Sequence, residues 1–178
     1  MTEIRHNWTK DEILEIYNRP LIDLIYEAAK VHREHNDPKE VQVSTLLSIK
    51  TGGCPEDCSY CPQAARYHTD IEKNDLMTTE QVHTAAMRAK SLGSSRLCMG
   101  AAWRNVKDDG EFDQVLELVR TVNSLDMEVC CTLGMVTESQ AKKLADAGVY
   151  AYNHNLDSSE DYYKEVISTR GYEDRLAT

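Results

Sequence analysis

Nowhere in these 178 residues does an apolar run approach the roughly 20 positions that a bilayer-spanning helix needs. The opening stretch, MTEIRHNWTKDEILEI, holds no apolar core of a secretory signal. Basic residues are scarce too: 20 Lys and Arg stand against 30 Asp and Glu, a formal net charge of -10. Such a surface repels phosphate backbones and anionic lipid, so neither nucleic acid nor a membrane is expected as a main partner. The chain is accordingly expected to be soluble and cytoplasmic. GxGxxG, P-loop and nucleophile-elbow motifs are all missing. The dinucleotide, triphosphate and serine-hydrolase chemistries they serve are therefore not indicated. There is no internal repeat and no low-complexity tract. The six histidines are scattered, and His154 is expected to point away from any site and serve structure.

What is present is a core-forming share of apolar residues, 41%, and six cysteines. In a reducing compartment, clustered cysteines point to metal or redox chemistry rather than to disulfides. The first 40 residues read as a helical extension. Thr9 and Glu12 form a capping box before one helix, and Pro20 opens a second. Residues 41–178 then alternate. Strands are predicted at 43–50, 95–102, 127–133 and 149–157, and helices at 78–93, 112–125, 137–148 and from 158 onward. That alternation predicts an α/β fold with a parallel sheet. Four βα units amount to a partial TIM-type (β/α) barrel, since a full one takes about 250 residues.

The densest chemistry follows the first strand. TGGCPEDCSYCPQ places Cys54, Cys58 and Cys61 in a loop turned by Gly52 and Gly53 and stiffened by Pro55 and Pro62. Functional groups of βα barrels sit in the loops at the carboxyl ends of the strands. Structural zinc usually closes with four ligands, and no fourth Cys or His stands nearby. A [4Fe–4S] cluster held by three thiolates would leave one iron open to another ligand. Further along, Arg96, Cys98 and Gly100 share one face of the second strand. Cys130 and Thr132 share one face of the third, while Cys131 turns the other way with Leu133. Strands about 4.8 Å apart would let Cys98 and Cys130 serve one cluster; core cysteine is the competing reading. Asn153, Asn155 and Asp157 are spaced by two, so a continuous fourth strand would project them to one face.

The CxxxCxxC spacing after a first barrel strand, with Tyr60 before the last cysteine, resembles the radical S-adenosylmethionine (radical SAM) superfamily. Within it, VQVSTLLSIKTGGCPEDCSYCPQ, LCMGAAW, CTLG and YNHNLD are similar to the biotin synthase family, from about Trp8 to Thr178. The resemblance implies a [4Fe–4S] cluster on Cys54, Cys58 and Cys61. Its open iron would bind S-adenosylmethionine, and reductive cleavage there would yield a 5′-deoxyadenosyl radical. It implies a sacrificial [2Fe–2S] cluster on Cys98 and Cys130, with Cys131 at the variable position and Arg96 in support. Tyr60, Ala101, Asn155 and Asp157 would contact S-adenosylmethionine, and Asn153 the ureido ring of dethiobiotin. The implied reaction is sulfur insertion into dethiobiotin by a radical SAM sulfurtransferase. Its implied partners are a flavodoxin-type electron donor, the iron–sulfur assembly machinery and a second subunit in a homodimer. Lipoyl-synthase-like or hydrogenase-maturation-like enzymes, and a non-catalytic metal-binding half barrel, are the alternatives. The family's third [2Fe–2S] cysteine and arginine ligand lie beyond Thr178, so these residues alone are expected not to be a competent enzyme.

Overall fold

The computed structural model describes residues 4–178. Contacts divide the chain into two units, one through Val41 and one spanning Gln42–Thr178. The first unit holds helices α1 (Lys10–Tyr17) and α2 (Leu21–His35). The Thr9 side chain accepts from Glu12 N while Glu12 reaches back to Thr9 N at 2.9 Å, the reciprocal box expected from the sequence. Pro20 sits one position earlier than anticipated. It occupies the N-cap at φ -55°, ψ 140°, with an extended backbone, and Leu21 begins the helix.

The second unit is built from β1 (Ser44–Lys50), α3 (Thr79–Ser91), β2 (Arg96–Ala101), α4 (Gly110–Asn123), β3 (Glu128–Thr132), α5 (Glu138–Ala147) and β4 (Val149–Tyr152). All strand pairs are parallel, in the order β1-β2-β3-β4. Local sequence explains the starts. Thr78 and Thr137 cap α3 and α5 with reciprocal boxes to Gln81 and Gln140. Asp109 accepts from Glu111 N and Phe112 N, so α4 begins two residues before the apolar periodicity does. Gly148, at φ 104°, closes α5. At the end of α3, Leu92 takes the cap and Gly93 follows it at φ 91°.

Strand alternation sorts the side chains. Ile49, Leu97, Met99, Val129, Cys131 and Leu133 face the helices. There they join Val82 and Ala86 of α3, the Phe112–Val122 stripe of α4 and Leu144 of α5 in one core. Burial of these residues, at about 1.5–3 kcal/mol for each large side chain, is what holds the helices onto the sheet. Arg96, Cys98 and Gly100 of β2 lie on the opposite face with Cys130 and Thr132 of β3. Leu46 of β1 also faces this side and is 77% exposed.

The sequence expectation fails after β4. The fourth strand stops at Tyr152 rather than 157, and the helix foreseen from 158 is replaced by two short ones, α6 (Tyr163–Val166) and α7 (Tyr172–Ala177). The ladder to β3 runs out there: Asn153 N donates to Cys131 O at 2.8 Å as the final contact. Asp157, at φ 67°, then leaves extended backbone altogether. The following segment is pulled sideways. Ser59 N donates to Val166 O at 3.0 Å, tying α6 to the cysteine loop. Among the described residues, no helix is long and apolar enough to cross a membrane.

Candidate functional site

The loop after β1 turns immediately. Gly52 and Gly53 both adopt positive φ, 71° and 68°, and a Cβ at Gly52 would stand 2.9 Å from Glu72 O. Only glycine takes that conformation at that proximity without strain. The turn delivers Cys54, Cys58 and Cys61 to the carboxyl ends of the strands. There they line a cavity of about 210 Å³ together with Tyr60, Ala101, Asn153, Asn155 and Asp157. Eight residues singled out from the sequence are thus brought to one place. Trp103, Thr132 and Gly134 also line it. Gly134 too has positive φ, and a Cβ there would come within 2.5 Å of the Trp103 and Arg104 carbonyls.

Cys54 and Cys58 are buried and Cys61 is half-buried. Burial, the largest influence, pushes the Cys54 and Cys58 thiols up, and the Arg170 guanidinium pulls Cys58 back part of the way. The loop is held by its own acids. Asp57 Oδ1 accepts from Ser168 N at 2.9 Å and Thr169 N at 3.2 Å, and Oδ2 accepts from the Ser168 hydroxyl. Arg66 adds an ion pair at 2.8 Å. The Ser168 hydroxyl leads the influences that hold the Asp57 carboxyl well below its usual range. Glu56 accepts from the Thr169 hydroxyl and faces Arg170 at 2.9 Å.

Arg170 and Arg175 were not foreseen. Both come from the segment after β4 and converge on Asp157 Oδ2, Arg170 at 3.1 Å and Arg175 in close contact, while Tyr60 donates to Oδ1 at 2.6 Å. Burial alone would raise the Asp157 carboxyl, but the Tyr60 hydroxyl and the two guanidiniums outweigh it and hold it low. The sequence signal for these arginines was indirect: Glu56, in a tight Gly/Pro loop, and Asp157 would need cationic partners once buried. His154 is a correction. It lines the cavity instead of turning away, and both ring nitrogens lie 3.1–3.2 Å from Arg175 Nη1. Burial and then Arg175 push it down to about 4, so it is neutral at physiological pH.

Arg96, Cys98 and Cys130 lie apart from that cavity, lower on the inner face of the sheet. Cys98 and Cys130 are directly opposite in register. Burial and then a hydrogen bond with Cys98 push the Cys130 thiol up to about 11, and the Arg96 charge opposes this. Arg96 is anchored by Glu128 at 2.8 Å and lies over the Tyr150 ring at 4.9 Å. Cys131, by contrast, is fully buried in the hydrophobic core.

Among the described residues, no three His, Cys, Asp or Glu side chains converge on a single metal ion. The three loop thiols line a shared wall. Two buried side-chain atoms beside them lack a hydrogen-bond partner: Arg175 Nε and Glu56 Oε1, whose 2.9 Å approach to Arg170 is not aligned as a hydrogen bond. A three-thiol donor set beside an unsatisfied buried N–H suits an iron–sulfur group with a carboxylate-bearing ligand next to it. Sequence comparison agrees: the model of the radical SAM superfamily matches residues 48–178. The chain belongs to the radical SAM superfamily. Membership implies a [4Fe–4S] cluster and S-adenosylmethionine as its cofactors.

The radical SAM chain is 76% identical over 178 residues to a biotin synthase of Flavobacterium psychrophilum, covering 100% of itself and 49% of that protein. It is 64% identical over 178 residues to a biotin synthase of Cytophaga hutchinsonii, covering 53% of it. The chain therefore spans about half the length of the curated relatives it matches. A solved structure, the FeFe-hydrogenase maturase HydG from Carboxydothermus hydrogenoformans, superposes with TM-score 0.71. That match covers 91% of this chain and 38% of HydG at 16% identity, a likeness of fold alone.

Proposed function

We propose that this chain carries the cofactor-binding part of a biotin synthase, which inserts sulfur into dethiobiotin. The observation that carries the reading is the double arrangement of cysteines. Three line the cavity at the carboxyl ends of the strands, and two face each other across β2 and β3 on the inner side of the same sheet. Identity of 76% to a protein of that name supports the choice within the superfamily.

In this reading Cys54, Cys58 and Cys61 hold the [4Fe–4S] cluster, and Cys98 and Cys130 hold part of a [2Fe–2S] cluster. When bound, the four-iron cluster supplies the electron that cleaves the sulfonium of S-adenosylmethionine. The protein's own share is placement and exclusion of water. The polar groups of Asn153 and Asn155 face the cavity for substrate and cofactor. Tyr60 and Ala101 border the cofactor, and Tyr60 is fixed by its bond to Asp157. The free N–H of Arg175 supports a carboxylate there. Asp157, with both oxygens already engaged, serves by holding Tyr60 and the two arginines as much as by contact. Arg96 sets a positive charge below Cys98 and Cys130. A flavodoxin-type donor, the iron–sulfur assembly machinery, a homodimer and a cytoplasmic setting accompany the reading, as does a division into a helical extension at 1–40 and a barrel portion at 41–178.

Anaerobic reconstitution with iron and sulfide tests it. About four irons per chain are expected on the loop, with a further increment at the second site. Cys54→Ala, Cys58→Ala or Cys61→Ala should abolish the first and Cys98→Ala or Cys130→Ala the increment. Colourless protein holding one zinc would overturn the reading in favour of a non-catalytic metal-binding half barrel.

A further inference from the structure

Arg170 is the point where three parts of the site meet. Its side chain is only 4% exposed. Nε donates to the Tyr163 hydroxyl at 3.0 Å, Nη1 faces Glu56 Oε1 at 2.9 Å, and Nη2 donates to Asp157 Oδ2 at 3.1 Å. Nη2 also donates to Cys58 Sγ at 3.4 Å. Two carboxylates account for a buried guanidinium on their own; the sulfur contact is additional. A neutral thiol is a poor acceptor, whereas a metal-bound thiolate carries negative charge and accepts a charged N–H well. The rigid planar fork of arginine can reach carboxylate, hydroxyl and sulfur together, which a lysine ammonium cannot.

We infer that Arg170 is a positioning residue for the iron–sulfur group. Its N–H···S bond orients Cys58 and lays a buried positive charge against that ligand sulfur, favouring the reduced state of the cluster. Hydrogen bonds to ligand sulfurs and local charge are among the determinants of cluster potential. The inference rests on Cys54, Cys58 and Cys61 being cluster ligands. Arg170 follows Cys58 by 112 positions, and the tie exists because Asp57 and Glu56 draw the Ser168–Arg170 segment onto the loop.

The test compares reconstituted wild-type chain with Arg170→Gln, Arg170→Gln/Glu56→Gln and Arg170→Lys. The double variant removes the buried carboxylate that Arg170→Gln would strand. Arg66→Gln is the control, since it deletes a cation of the same loop that is 63% exposed and bonded to Asp57. Iron and labile sulfide per chain, far-UV circular dichroism and the cluster midpoint potential are measured. Arg170→Gln should fold, keep wild-type iron and show a lower midpoint potential; the double variant, which also removes an opposing negative charge, should show a smaller fall. Arg170→Lys should fall between, and Arg66→Gln should match wild type. An unchanged potential in folded, iron-loaded Arg170→Gln overturns the inference. If Arg170→Gln does not fold, an unchanged potential in Arg170→Lys overturns it. Wild-type chain without iron overturns the cluster reading and this inference together, whereas iron with an unmoved potential overturns this one alone.

Discussion

Cys130 and Cys131 are neighbours in β3, yet they occupy two different environments. Cys131 is sealed among Leu133, Val129 and the α4 stripe. Cys130 looks the other way, toward Cys98 and the Arg96 charge. The two faces of one sheet have been given opposite tasks. The helix-facing side is hydrocarbon and carries stability. The inner side carries thiols, amides, an ion pair and the exposed Leu46, a surface that contributes little to folding and is spent on chemistry. Residue type alone says little about a cysteine here; the parity of its position in the strand says nearly everything.

Breaking the stable face should cost most. Phe112→Ala removes a ring that is 1% exposed and should destabilise by about 3–5 kcal/mol in urea melts, against less than about 0.5 kcal/mol for Leu46→Ala. The cysteine pair sharpens the contrast. Cys131→Ser buries a hydroxyl in hydrocarbon and should cost about 1–3 kcal/mol without loss of iron, while Cys130→Ser should leave the melt nearly unchanged and reduce iron at the second site. Between the two faces stands the strap on the cysteine loop. Asp57→Ala strands the Ser168 and Thr169 amides and should cost about 1–3 kcal/mol, read most directly as faster amide exchange across residues 54–61. Removing the α5 cap with Thr137→Ala, remote from the thiols, should cost about 1 kcal/mol and leave iron binding untouched. The faintest effect is a titration. His154 binds its proton near 6.5 when unfolded and only near 4 when folded, so its contribution is complete above pH 6.5 and is lost as pH falls toward 4. NMR of the His154 ring should show that low midpoint; a value near 6.5 would mean that neither its burial nor the Arg175 contact holds in solution.

Much of this was legible in the chain itself. Capping boxes at Thr9, Thr78 and Thr137, the glycine after α5 and the alternation in β2 and β3 are local facts, decided within four residues or by a period of two. They sufficed to place three thiols at the strand ends, to set Cys98 and Cys130 on one face and to send Cys131 into the core. Asn153, Asn155 and Asp157 reached the cavity as expected, but by a different route, because the strand they were assigned to ends at Tyr152.

The remainder belonged to the tertiary structure. Nothing local announces that Ser168, Thr169 and Arg170 lie against a loop more than a hundred positions earlier, or that Arg175 and His154 meet at the cavity wall. Backbone propensity and hydrophobic period act over a turn or a pleat. Buried carboxylates must find donors wherever the folded chain brings them, and for Glu56, Asp57 and Asp157 that place was the segment beyond the last strand.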